Sequence, residues 1–123
     1  MNIVKIKQFL KPLKNEFGRV SLFKTLYFFI SSGGKKIFFY PNVHFSSEKN
    51  TSFSGEGLLQ LGVQWNKGRY FPSQLVMREN TRINVEQNFK IYSDFQIWIN
   101  PEAIVALGSG YISNGLRMSC FQS

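Results

Sequence analysis

The chain has 123 residues, one domain's worth on ordinary size grounds. Hydrophobic residues make up 43% and charged residues 18%, which excludes a disordered polyelectrolyte and leaves material for a core. Fifteen Lys and Arg face seven Asp and Glu, for a net charge of +8, and a single cysteine, Cys120, excludes an internal disulfide and a thiolate-rich zinc or iron–sulfur site. The longest uncharged run, Ala103 to Leu116, is 14 residues interrupted by Gly, Ser and Asn. A membrane-spanning helix needs about 20 predominantly apolar residues. The first 15 residues carry four lysines and no apolar run long enough for a secretion signal.

The charge is unevenly spread. Residues 1–36 hold eight basic residues and one acid, Glu16, for +7, whereas residues 37–123 hold seven basic and six acidic residues, for +1. The sequence therefore divides into a basic head, 1–36, and a nearly neutral body, 37–123.

In the head, Ile3, Ile6, Phe9, Leu10, Leu13 and Phe17 recur at three- and four-residue spacing, one stripe of an amphipathic helix. Pro12 inside the pattern predicts a kink or split, and Gly18 a stop. A second apolar stretch runs from Val20 to Ile30, with Ser21 as its cap and Ser31-Ser32-Gly33-Gly34 as its end. Lys5, Lys7, Lys11 and Lys14 lie mostly off the first stripe and are the candidate contacts for an anionic membrane surface. The plainer reading packs the helices on the body and leaves these lysines in solvent, and the two readings are compatible.

From Ile37 the period changes to two. Residues 37–40, 43–45, 59–65, 82–85 and 90–99 read as short strands separated by Gly, Asn, Ser and Pro, so the body is mainly β. Val85, Ile91, Ile97 and Ala103 are spaced by six, as are Phe89 and Phe95. Leu61-Gly62-Val63-Gln64-Trp65 and Leu107-Gly108-Ser109-Gly110-Tyr111 repeat the same local arrangement. A six-residue step of this kind points to a parallel β-helix, whose stacked coils align inward residues into ladders. Pro101 at one expected apolar position and the irregular stretch 66–77 weaken the pattern. The alternative is an antiparallel barrel in which the spacing is accidental.

The stretches SLFKTLYFF, KKIFFYPNVHF, GEGLLQLGVQW, GRYFPSQLVM, TRINVEQNFKIYSDFQIWIN and AIVALGSGYISNGLRMSCF cover most of residues 21–121. In order and spacing they resemble the N-terminal part of the hexapeptide-repeat acyltransferases, in the branch of O-acetyltransferases that modify surface polysaccharide or lipopolysaccharide sugars. The resemblance implies a left-handed parallel β-helix after an N-terminal helical segment. For the full-length family it implies acetyl-CoA as acyl donor, a glycan acceptor, a homotrimer with the donor between neighbouring β-helices, and a histidine as general base, and the donor is not expected to bind this chain alone. It also implies that this base belongs to later coils, so the chain reads as truncated at its C-terminal end and inactive alone. No catalytic residue and no metal ligand is assigned, and the residues that bind the cofactor are left open.

The remaining chemistry is sparse. His44, the single histidine, lies in the early PNVHF stretch and reads as a strand residue. Asp94, in IYSDF, reads as turn chemistry. Cys120, beside Met118 and Phe121, reads as a small hydrophobe rather than a nucleophile. Gly108-Ser109-Gly110 reads as a turn, not a nucleotide cradle. Two other functions fit parts of the sequence. One is a single-stranded nucleic-acid binder using rings and basic charge, but the basic residues cluster away from the β aromatics, so no nucleic-acid partner is expected. The other is a non-catalytic structural or interaction module. The expected location is cytoplasmic, at the inner face of the cell membrane.

Overall fold

The computed structural model describes residues 3–16, 18–64 and 70–120. Phe17, Trp65, Phe121 and residues 66–69 of the irregular stretch lie outside the described residues. Two helices, α1 (Ile3–Asn15) and α2 (Leu22–Ser31), precede eleven short strands. These are β1 (Ile37–Phe39), β2 (Val43–Ser47), β3 (Ser52–Ser54), β4 (Leu59–Val63), β5 (Ser73–Met77), β6 (Arg82–Val85), β7 (Phe89–Tyr92), β8 (Gln96–Ile99), β9 (Ile104–Leu107), β10 (Gly110–Ile112) and β11 (Arg117–Cys120).

The strands form three sheets, ordered β1-β4-β7-β10, β2-β5-β8-β11 and β3-β6-β9. Every described pairing is parallel, which removes the antiparallel barrel. The chain visits the three sheets in turn and then returns one strand further along each. This is compatible with a parallel β-helix. Inward side chains stack from circuit to circuit, as Phe45 pairs with Leu75, Leu75 with Ile97 and Ile97 with Met118. Phe39, Leu61, Ile91 and Ile112 form a second ladder. The enclosed core holds Val43, Leu59, Met77, Ile83, Val85, Phe95 and Ile99, all nearly or fully buried.

The register is not set by the six-residue step. Three such steps would bring paired residues about 18 apart. Ile37 pairs with Leu59 and Arg82 with Ile104, both 22 apart, and Phe89 pairs with Gly110, 21 apart. Circuits containing the long connection between β4 and β5 separate partners by 30, as in Val43 with Ser73. The extra residues are spent at corners. Asn50, Asn80 and Glu102 occupy one corner in successive circuits with φ of 60°, 59° and 69°. Asn42 and Asp94 hold another at 64° and 66°. Asn and Asp tolerate this left-handed backbone better than other side chains do. Asp94 accordingly splits the expected strand over 90–99 into β7 and β8. Strand β5 forms within the stretch that reads as irregular.

The helices close one end of this stack. Phe9 and Leu13 of α1 and Phe29 of α2 are buried against Phe38, Tyr40 and Leu58, with the Phe9 and Phe29 rings stacked at 3.9 Å. Phe38 points outward between inward-facing Ile37 and Phe39, so β1 serves two cores, one on each face. Pro12 does not split α1, which continues to Asn15. Pro12 stands in the last turn, where the lost bond would fall to the carbonyl of exposed Gln8, within reach of water. The helix stops three residues before Gly18. Ser21 occupies the N-cap position of α2, but its hydroxyl makes no capping bond. The end of α2 falls where expected. The amides of Gly33 and Gly34 donate to Ile30 and Phe29, and Gly33 has φ 78°, a Schellman ending.

Candidate functional site

Strand β2 is at the outer edge of its sheet, and α2 runs beside it. Three bonds hold the helix to the first circuit. The Phe39 amide donates to Thr25 Oγ1 at 3.1 Å, the Ser21 amide to the Phe39 carbonyl at 2.7 Å, and Lys24 Nζ to the Val43 carbonyl at 2.8 Å. Thr25 is fully buried. These contacts satisfy backbone groups that β1 and β2 would otherwise leave unpaired at the edge. Phe28 plugs the end of the stack, with Phe39, Phe45 and Phe53 rings around it at 5.6, 5.8 and 5.3 Å, all edge-on.

An open cleft of about 490 Å³ lies between α2 and β2. Its walls include Phe23, Lys24, Tyr27, Phe28, His44 and Phe45. A smaller space of about 250 Å³ lies along Phe28, Phe45 and Phe53. His44 faces outward because its neighbours Val43 and Phe45 turn inward. Among the described residues its imidazole has no hydrogen-bond partner and no carboxylate lines the cleft. The site thus presents apolar rings, an amine and an imidazole. It can hold a ring or an apolar chain, but it has no carboxylate to orient the imidazole for proton transfer.

The other singled-out residues are scattered. Lys5, Lys7, Lys11 and Lys14 are exposed on α1. Asp94 accepts from Arg117 Nη2 at 3.1 Å across the next circuit, and both side chains are substantially exposed. Cys120 lies half-buried on β11 against the main core, and burial pushes its thiol pKa up, away from the thiolate. No group of three or more His, Cys, Asp and Glu residues suited to a metal occurs among the described residues. A second buried polar feature is Tyr40, whose hydroxyl accepts from Gln60 Nε2 at 2.8 Å under α1. Sequence reading missed the Thr25 and Lys24 bonds and the cleft. The available signal was α2 itself, which is apolar on nearly all sides and so cannot be an ordinary surface helix.

These observations define a mainly β protein of three parallel sheets with two helices against its first circuit. Comparison with protein-family profiles, curated protein sequences and solved structures found no match.

Proposed function

We propose that the chain is a left-handed parallel β-helix of acyltransferase type, built to take part in O-acetylation of a surface polysaccharide or lipopolysaccharide sugar from acetyl-CoA. The observation that carries this reading is the rotation of the chain through three parallel sheets with continuous inward ladders. The sequence resemblance to the hexapeptide-repeat acyltransferases supplies the chemistry. The reading departs from that family in its 21- and 22-residue circuits. No carboxylate lines the cleft at His44 among the described residues, and the reading gives this chain a scaffolding part in the reaction. The acyl donor then lies between copies in a homotrimer on the cytoplasmic side.

The test combines light scattering with calorimetric titration of acetyl-CoA. A particle of three 14.2 kDa chains that binds acetyl-CoA supports the reading. A stable monomer removes it, whether or not acetyl-CoA binds.

One observation favours a second reading, a non-catalytic interaction module. At the end of the stack remote from α2, the interior residues Val105, Leu107, Leu116 and Met118 are only partly buried. An apolar end of this kind is a surface for another solenoid segment. A stoichiometric complex with a second protein, without acetyl-CoA binding, selects this alternative.

A further inference from the structure

The exposed large hydrophobic residues are not evenly spread. Twelve occur among the described residues, and eight of them are on α1 and α2. On α2, Phe23, Leu26, Tyr27 and Ile30 are exposed, with Phe23 at 80% and Ile30 at 70%. At 100° per residue these four positions fall on one face, opposite the buried side that carries Thr25, Phe28 and Phe29. No polar residue interrupts that outward face. The Phe23 and Tyr27 rings stack on each other at 6.3 Å and form a ridge along it. On α1, Ile3, Ile6 and Leu10 make an exposed apolar strip flanking the buried Phe9 and Leu13. Lys7, Lys11 and Lys14 follow on the far side of that strip. The Phe9–Phe29 stack holds the two helices side by side.

The electrostatics select the occupant. The two helices contain five lysines and no acid. A second copy would set this positive face against itself, which is repulsive, whereas an anionic surface attracts it. An apolar face bordered by lysines, on helices too short to span a bilayer, has the form of an interfacial anchor.

We propose that α1 and α2 form a docking face for an anionic lipid bilayer, with the Phe23–Tyr27 ridge, Leu26 and Ile30 sunk into the headgroup–acyl boundary and Lys7, Lys11 and Lys14 on the headgroups. The proposal goes beyond the acyl-transfer reading and does not depend on it.

The test is co-sedimentation of the full chain with vesicles of phosphatidylcholine alone and of phosphatidylcholine with phosphatidylglycerol. Wild type should pellet with the anionic vesicles, at least about tenfold more strongly than with the neutral ones, and added salt should release it. The variant F23S/I30S should lose at least about tenfold in partitioning, as loss of inserted area requires. The variant K7E/K11E/K14E should lose the anionic preference. All five positions are exposed, and circular dichroism verifies that each variant keeps its fold. Equal partitioning of wild type onto both vesicle types overturns the proposal, as does unchanged binding by both variants. A dimer in solution that F23S/I30S dissociates also overturns it, because a second copy then covers the face. None of these outcomes bears on acetyl-CoA binding, so the two readings fail separately.

Discussion

Tyr40 concentrates the chemistry of the outer core in one hydroxyl. Burial holds its pKa well above the ordinary value of 10.0, with the Gln60 bond only partly opposing that shift. Above that ordinary value the unfolded chain ionises at Tyr40 while the native chain stays protonated, so stability falls as pH rises. Wild type should therefore lose unfolding free energy in denaturant titrations carried from neutral pH to above pH ~10, and Y40F should lose less. At neutral pH, Y40F should cost about 1–3 kcal/mol, since Gln60 Nε2 is left buried without its acceptor. Gly55 tests the corners. It has φ 90°, and a Cβ there would stand 2.1 Å from the Val85 carbonyl of the next circuit. G55A should destabilise by more than about 2 kcal/mol, whereas G18A, with open space around it, should stay within about 1 kcal/mol of wild type. Glycine at 55 looks in sequence like ordinary loop punctuation. The reason for it is a backbone from another circuit, which no local pattern contains.

At the scale of elements, α2 matters most, because it replaces a strand. Its Thr25 accepts the Phe39 amide, and Lys24 reaches the Val43 carbonyl. Replacing Thr25 with Val keeps the volume but strands a buried N–H. The expected cost is about 1–3 kcal/mol, read by chemical denaturation, with faster exchange of the Phe39 amide. Truncating Phe9 removes the ring that stacks on Phe29 and meets Phe38 edge-on, and F9A should cost about 3–5 kcal/mol. The two helices were legible as elements from their apolar spacing and from the Ser-Ser-Gly-Gly ending. Their roles were not. Ile3, Ile6 and Leu10 share the spacing of Phe9 and Leu13 but remain exposed, because only part of that stripe meets β1. Strand β5 was hidden for a related reason. Its Ser73 is buried and accepts the Asp94 amide at 2.9 Å, so a polar residue occupies what reads as a loop position.

For the whole molecule, stability should follow position along the stack. In a solenoid each circuit contacts only its neighbours. Strands β4, β5, β6, β7 and β8 pair on both sides, whereas β9, β10 and β11 pair on one side among the described residues. Native-state hydrogen exchange should give the longest protection to β4, β5, β6, β7 and β8, and markedly less to β9, β10 and β11. Uniform protection of all eleven strands would contradict a stack of this kind. The core is a narrow column, with a void of only about 40 Å³ among Leu61, Leu75, Ile91 and Ile97. That space holds no more than a water molecule, so the candidate binding surfaces among the described residues are the α2–β2 cleft and the helical face.

Local patterns carry the two N-terminal helices and the short strands after them, the turn at Asp94 and the inward positions Val85, Ile91 and Ile97. Those features depend on local backbone preference and on alternation, which are written in neighbouring residues. The 21- and 22-residue register, the two cores on either face of β1, the cleft beside His44 and the exposure of the α2 ring ridge come from packing between segments. Each of these depends on which distant segment lies alongside. A stack of parallel strands joins residues 21 to 30 apart, beyond the reach of any short pattern.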